Sequence, residues 1–356
     1  MISIPILVSV ISIFHSGNGQ KLIQLSEFKG NSASQLNATG PFSLYVSASS
    51  DSNDLLSKVF VKTLDGSTTS LYQLKANKMH TSSGFLQPFR VNAKKASLVS
   101  NLTDSQMKSL RGFLYVTTTR QMNNNAFFVF DVDQTQTISF DETKPDNCTI
   151  VFLNSNFSSN PAQSSTISEW VQSENASVWI YPGVPGRAEE KPFSFIFSNP
   201  VHTTEKDRFV DSVEKFSLSL PSFYIKTHKG IQFSISPSYY DVNGSQQGSL
   251  TATGLYMKPF DVTDRNVTLH MLTINTFVKD TSRKLTGANA IGSMPQGSSV
   301  EVYSRNADGN GNGYGVTPVD QMLGWSTPDI GNIITISSEK ATKGQFFVQW
   351  YTLYSY

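Results

Sequence analysis

Residues 81–91 read TSSGFLQPFRV, and residues 251–262 read TATGLYMKPFDV. Aligned on Pro88 and Pro259, the two stretches differ by one inserted residue. Each leads through a polar turn into an alternating segment, Ala96-Ser97-Leu98-Val99 in one case and Val267-Thr268-Leu269-His270 in the other. Two further elements recur around them. Gly112-Phe113-Leu114-Tyr115-Val116 precedes Phe127-Phe128-Val129-Phe130, much as Gly331 to Ile336 precedes Phe346-Phe347-Val348-Gln349-Trp350. Upstream, Gly40-Pro41-Phe42-Ser43-Leu44-Tyr45 matches Gly230-Ile231-Gln232-Phe233-Ser234-Ile235. Self-similarity of this kind is the signature of a duplicated unit. The expected organisation is two related β domains, 20–133 and 216–356, with 134–215 as an intermediate β module and linkers. That middle region carries a partial third copy of a closing hairpin, Val178 to Tyr181 followed by Phe193 to Phe197.

Runs of Val, Ile, Phe, Tyr and Thr alternate with polar residues and are cut by Gly, Asn, Asp and Ser, which is strand patterning. Alternation puts one face of a strand in a core and the other in water. The chain is therefore expected to be all-β, built of tandem antiparallel sandwiches with a few short helices. Thr103-Asp104 reads as a helix cap, and Thr166 with Glu169 matches a capping box. Phe209, Val213 and Phe216 fall on one helical stripe within residues 204–216. Thr317-Pro318 could open a turn through Met322-Leu323.

The N-terminus, MISIPILVSVISIF, is apolar but shorter than the ~20 residues a helical span needs. With Gly17-Asn18-Gly19 after it, it reads as an export signal, residues 1–19. No later run is long and apolar enough to span a bilayer, and the C-terminus, QWYTLYSY, is no anchor signal. These features predict a secreted, extracellular, soluble protein with no membrane span. Charged residues make up 15% and net charge is +1, so there is no basic field to attract nucleic acid. Cys148 is the single cysteine, so no disulfide forms within the chain and a buried thiol is expected. Acceptor sequences for N-linked sugar occur at Asn37, Asn101, Asn147, Asn156, Asn175, Asn243 and Asn266.

No catalytic signature emerges. The histidines beyond the signal, His80, His202, His228 and His270, form no zinc pattern. There is no G-x-S-x-G elbow, and Cys148 has no adjacent His. Asp308, Asn310 and Asn312 match the first half of an EF-hand loop, so calcium is a candidate ligand there. Val319 stands where the bidentate Glu belongs, and a hairpin loop is the better reading. No other cofactor is implied. Asp131, Asp133, Asp141 and Glu142 form an acidic cluster in sequence, readable as a solvated turn, a calcium loop or paired carboxylates for glycoside hydrolysis. Trp179, Tyr181, Trp325, Trp350, Tyr351 and Tyr354 could stack on sugars if exposed. Trp179 and Trp350 are expected in the core.

The Leu86-Gln87-Pro88-Phe89 element and the closing Phe347-Val348-Gln349-Trp350 resemble the CUB-like proteins of nematodes. That resemblance implies jelly-roll-type sandwiches acting as extracellular binding modules in intestinal secretion and responses to infection. CUB domains proper carry paired cysteines, which this chain lacks. The expected function is a non-enzymatic binding protein with a protein or glycan ligand, within an innate immune or stress response. The alternatives are a secreted carbohydrate-active enzyme and a structural coat protein.

Overall fold

The computed structural model describes residues 19–36, 38, 40–76, 86, 88–93, 95–141, 144–158, 163–186, 194–203, 206–239, 243–247, 251–258, 269–275, 284–293, 300–305, 311–316, 321–327, 333–339 and 345–354. These residues are β-strands for the most part, in sheets that pair into sandwiches.

The first sandwich holds β1 (Lys21–Gln24), β2 (Ala33–Gln35), β3 (Phe42–Ala48), β4 (Val59–Thr63), β5 (Thr68–Ser70), β6 (Phe89–Val91), β7 (Ala96–Ser100) and β8 (Gly112–Val116). Its sheets run β1-β8-β3-β6 and β2-β7-β4-β5. The first strand pairs with the last, the second with the second-last, and so inward. This is one long antiparallel ribbon wound on itself, the jelly-roll arrangement. The short helices α1 (Asn53–Leu56), α2 (Leu71–Ala76), α3 (Asp104–Ser109) and α4 (Thr119–Met122) sit in its connections or just beyond it. The expected cap holds at α3. Thr103 accepts from the Gln106 N–H, and the Gln106 side chain accepts from the Thr103 N–H in return.

The second sandwich holds β9 (Phe127–Asp131), β10 (Gln136–Phe140), β11 (Asn147–Leu153), β12 (Gln163–Gln172), β13 (Ser177–Pro182), β14 (Phe197–Asn199), β15 (Val201–His202), β16 (Asp207–Arg208), β17 (Phe216–Leu218), β18 (Ser222–His228) and β19 (Ile231–Tyr239). Its sheets run β10-β19-β12-β17 and β14-β13-β18-β11-β9. With β9 and the small β15-β16 pair set aside, the winding repeats that of the first sandwich. β9 is added parallel to β11.

The third sandwich holds β20 (Asn243–Gln247), β21 (Ala252–Lys258), β22 (Leu269–Asn275), β23 (Lys284–Ser293), β24 (Val300–Arg305), β25 (Gly311–Val316), β26 (Gln321–Thr327), β27 (Ile333–Glu339) and β28 (Gln345–Tyr354). Its sheets run β21-β28-β23-β26 and β20-β22-β27-β24-β25, the same winding with β20 added parallel to β22. Gly254 is fixed by this packing. It lies opposite Trp350 on β28, and a Cβ there would fall 2.7 Å from the indole.

The described residues thus form tandem antiparallel sandwiches, as the patterning predicts. The strand pairing crosses both expected boundaries. β9, on the near side of residue 133, pairs with β11, and β18 and β19, beyond 216, pair with β11, β13, β10 and β12. The aligned motifs also hold different places in the winding. Phe89–Val91 is the sixth strand of its sandwich, whereas Ala252–Lys258 is the first of its own ribbon. β27 and β28 lie in facing sheets and are no hairpin, while β13 and β14 are one.

Each sandwich buries its own alternating apolar face. Phe42, Leu44, Val61, Leu98 and Leu114 are in the first core. Phe130, Phe152, Ile180, Phe223 and Phe233 are in the second. Leu255, Met257 and Phe347 of the third sandwich join that second core, which fuses the two bodies. Trp350 is fully buried, as expected. Trp179 is not in the core. β13 is apolar on both faces, and Val178 and Ile180 take the inward positions.

Candidate aromatic and cationic face

The five-stranded sheet of the second sandwich has an outward face that the register defines row by row. Strand alternation places Asn147, Thr149, Val151 and Leu153 of β11 on it, because Cys148, Ile150 and Phe152 point to the core. The outer row is Asn147, His228 and Ser177. The next is Phe127, Thr149, Lys226 and Trp179. The third is Val129, Val151, Tyr224 and Tyr181. Burial deepens inward along β11 and β18, while Tyr181 at the end of the third row stays half-buried and Phe127 at the end of the second is buried. Asn147 is exposed, His228, Ser177, Thr149, Lys226 and Trp179 are half-buried, and Val151 and Tyr224 are buried.

The buried end is covered by the first sandwich. Tyr45 of β3 and Tyr115 of β8 pack with Val129, Val151, Leu153 and Tyr224 in one cluster. Tyr45 stacks on Tyr115 with centroids 6.1 Å apart, and Tyr115 meets Phe127 at 6.4 Å. The Tyr115 hydroxyl donates to Gln20 Oε1 at 3.0 Å. Ser47 Oγ donates to Asp131 Oδ1 at 2.6 Å across the same seam. Burial pushes the Tyr45 phenol up to about 12, and raises those of Tyr115 and Tyr224 above the ordinary tyrosine value as well.

These raised values fix the sign of an alkaline effect. A tyrosine in the unfolded chain loses its proton near pH 10, while the folded Tyr45 keeps its proton to about 12. The stability it contributes is complete below 10 and is lost as pH rises through the folded value. The expected slope is about 1.4 kcal/mol per pH unit for each such tyrosine. Denaturant unfolding at stepped alkaline pH checks this. The expected result is that the exposed tyrosines ionise first and a last fraction of the phenolate absorbance appears only together with unfolding, whereas ionisation of every tyrosine near 10 in the folded chain contradicts it.

The open end combines rings and cations. Tyr181 stacks on Tyr224 at 4.8 Å and nearly parallel, and Phe195 meets Tyr181 edge-on at 6.3 Å. The Lys226 ammonium stands 5.9 Å over the Tyr181 ring. Burial, and next the Arg120 guanidinium on α4, hold the Lys226 pKa below its ordinary value. The site therefore combines Arg120, from the connection between the first two sandwiches, with Lys226, Trp179 and Tyr181 of the second.

The other expected site residues are scattered. Asp308 and Asn310 lie outside the described residues, and Asn312 lies on β25 opposite Ser304 of β24. Among the described residues no group of three His, Cys, Asp or Glu could hold a metal ion. Asp131 is buried on β9 while Asp133 and Asp141 are exposed, and Glu142 is outside the described residues. Cys148 is buried, donates to the Pro145 carbonyl at 3.0 Å, and has its thiol pushed up to about 11 mainly by burial. Of the sugar acceptors, Asn101, Asn147 and Asn175 are exposed and Asn156 is half-buried. Asn37 and Asn266 lie outside the described residues, and Asn243 is on β20. Sequence reasoning missed Lys226, Tyr224, Arg120 and Tyr115. Their placement depends on contacts between elements distant in sequence, which a linear pattern does not carry.

A family model described as transmembrane glycoprotein matches residues 39–356. The chain belongs to the transmembrane glycoprotein family. Membership overturns the expectation of a released, extracellular protein with no membrane span. That expectation rested on the hydropathy of the sequence, read for helical spans. Among the described residues of this glycoprotein no helix is long and apolar enough to cross a membrane. No curated protein matches the chain. Similar solved structures include the CUB1-EGF-CUB2 domain of human MASP-1/3, at 12% identity over 62% of this chain and all of that one, with a TM-score of 0.20. A triple jelly roll of an archaeal virus turret assembly aligns at 9% identity over 94% of this chain and 89% of that one, with a TM-score of 0.20. The VP2 subviral particle of infectious bursal disease virus aligns at 10% identity, over 92% of this chain and 73% of that one, with a TM-score of 0.13. At those TM-scores none of them carries an argument about this glycoprotein.

Proposed function

We propose that this membrane glycoprotein is a non-catalytic binding protein whose ligand is an acidic saccharide taken on the open end of the second sandwich's outward face. The observation that carries the reading is the row of half-buried Lys226 and Trp179 beside Tyr181, with Arg120 close enough to lower the Lys226 pKa. Aromatic faces accept the apolar faces of sugar rings. A partly desolvated ammonium beside a guanidinium gains most from an arriving carboxylate or sulfate. The N-terminal export signal suits a chain delivered to a membrane. The innate immune or stress role implied by the CUB-like resemblance belongs to this reading, through recognition of acidic surface sugars. The three windings, 21–116, 127–239 and 243–354, are proposed as the units that hold the site in place.

The test is calorimetric titration of the full chain with a sulfated heparin-derived oligosaccharide. Trp179→Ala and Lys226→Gln should each weaken binding by about tenfold or more, the loss expected for one stacked ring or one charge-assisted hydrogen bond. Affinity should fall as pH rises through the lowered pKa of Lys226, because the ligand needs the ammonium form. Lys226→Gln should remove that part of the pH dependence. Equal binding by wild type and both variants refutes the site.

A further inference from the structure

Among the described residues, Asn147 is the exposed sugar acceptor whose side chain stands on that same face. It begins β11, its neighbour Cys148 points into the core, and His228 and Ser177 complete its row. His228 Nδ1 bonds Asn147 Oδ1 at 3.0 Å. That contact fixes the amide through its oxygen and leaves Nδ2, the atom that carries an N-linked sugar, for the linkage. Thr149 completes the acceptor sequence and lies on the same face, one row inward beside Lys226. Trp179 is two strands across and one row inward from Asn147, roughly 12 Å between Cα atoms from ordinary strand rise and spacing. The first sugars of an N-linked chain cover that distance.

We propose that Asn147 carries an N-linked glycan whose first sugars lie along this face toward Lys226 and Trp179, so that the chain's own sugar controls access to the site. The control of access rests on the binding reading above, and the placement of the glycan does not. The geometry favours this occupant over an outside one on effective concentration alone. A tethered sugar competes as an intramolecular ligand, and its advantage is lost only if it cannot reach. The His228 bond aims it, since the amide plane is held and the remaining freedom is mainly that of the sugar linkage.

The experiment uses the full chain made in a eukaryotic secretory host. Glycopeptide mass spectrometry reads occupancy at Asn147, and quenching of tryptophan fluorescence by a neutral collisional quencher reads access to Trp179. Trp179→Phe identifies the part of the signal that belongs to that residue. Asn147→Gln removes the acceptor, and Thr149→Ser keeps it as a control. The expected result is an occupied Asn147, a rise in Trp179 quenching and tighter binding of the heparin-derived oligosaccharide in Asn147→Gln, with Thr149→Ser behaving as wild type. An unoccupied Asn147, or an occupied one whose loss leaves Trp179 quenching unchanged, overturns the proposal. A rise in quenching with no oligosaccharide binding in either form supports the glycan placement and overturns the ligand reading alone.

Discussion

Tyr224→Ala should open the seam between the first and second sandwiches. Tyr224 is 1% exposed and stacks on Tyr181, and it packs with Tyr45 and Tyr115 from across the seam. Truncating a buried aromatic of this kind costs about 3–5 kcal/mol. The chain has several bodies, so one global free energy of unfolding is not the quantity to read. Amide exchange of β3 and β8 is the better measure. Their protection should fall by roughly two to three orders of magnitude, since each 1.4 kcal/mol is a factor of ten. Tyr224→Phe keeps the stack and should leave the exchange near wild type. Loss of protection confined to β18, with β3 and β8 unchanged, would show that Tyr224 serves its own sandwich alone.

Gln349→Leu should do the same at the seam between the second and third sandwiches. Gln349 is 1% exposed, accepts from the Ser198 N–H at 3.0 Å and donates to the Ser198 carbonyl at 2.7 Å. Its Nε2 also donates to Thr253 Oγ1 at 3.0 Å. The side-chain amide thereby completes the backbone bonding of a buried residue on β14. Leucine fills a similar volume and makes none of these bonds. It leaves a backbone N–H and a carbonyl without their partner in a dry seam, at about 1–3 kcal/mol each. The expected loss is about 2–5 kcal/mol, read as faster exchange in β14 and β28 and an earlier urea transition for the third sandwich. A change under about 0.5 kcal/mol, the size of an ordinary surface substitution, would mean that water takes over the role.

The class of fold was legible because alternation is local. Phe42 to Ala48 and Asn147 to Leu153 carry their period in a single strand. The cap at Thr103 was legible for the same reason. Thr166 with Glu169 matched the same motif and is no cap, because β12 pairs with β17 and β19 on its two sides. Glu169 takes φ +52 where the register shifts between Ser168 and Val171, so it marks a bulge. The helical stripe through Phe209, Val213 and Phe216 fails for a longer-range reason. Asn199 holds the Val210 backbone from both sides, donating to its carbonyl at 2.9 Å and accepting from its N–H at 3.1 Å. Val210 packs with Tyr351 while Phe216 joins the second core. Met322-Leu323, read as part of a turn, lies on β26.

The order of winding is not carried by the short motifs that recur in the sequence. Short motifs ending in Pro-Phe or Phe-x-Val recur in any strand-rich chain, so matching them joined strands with different places in the winding. The winding itself is visible only through pairings between strands far apart in sequence, such as β1 with β8 and β21 with β28. The candidate site has the same character. Trp179 stood out by its type, but which face of β13 it takes is decided by Ile180 and Val178 being wanted in the core. Lys226 and Arg120 carry no signal until the fold brings the guanidinium within electrostatic reach of the ammonium.

The central claim is that the rings and cations at the junction of the first two sandwiches are the binding surface. Amide exchange of the full chain, with and without the heparin-derived oligosaccharide, tests it most directly. The account predicts new protection in β13, β18 and α4, with the third sandwich unchanged. Bound ligand with no protection in β13 or β18, or with protection centred on the third sandwich, would contradict it.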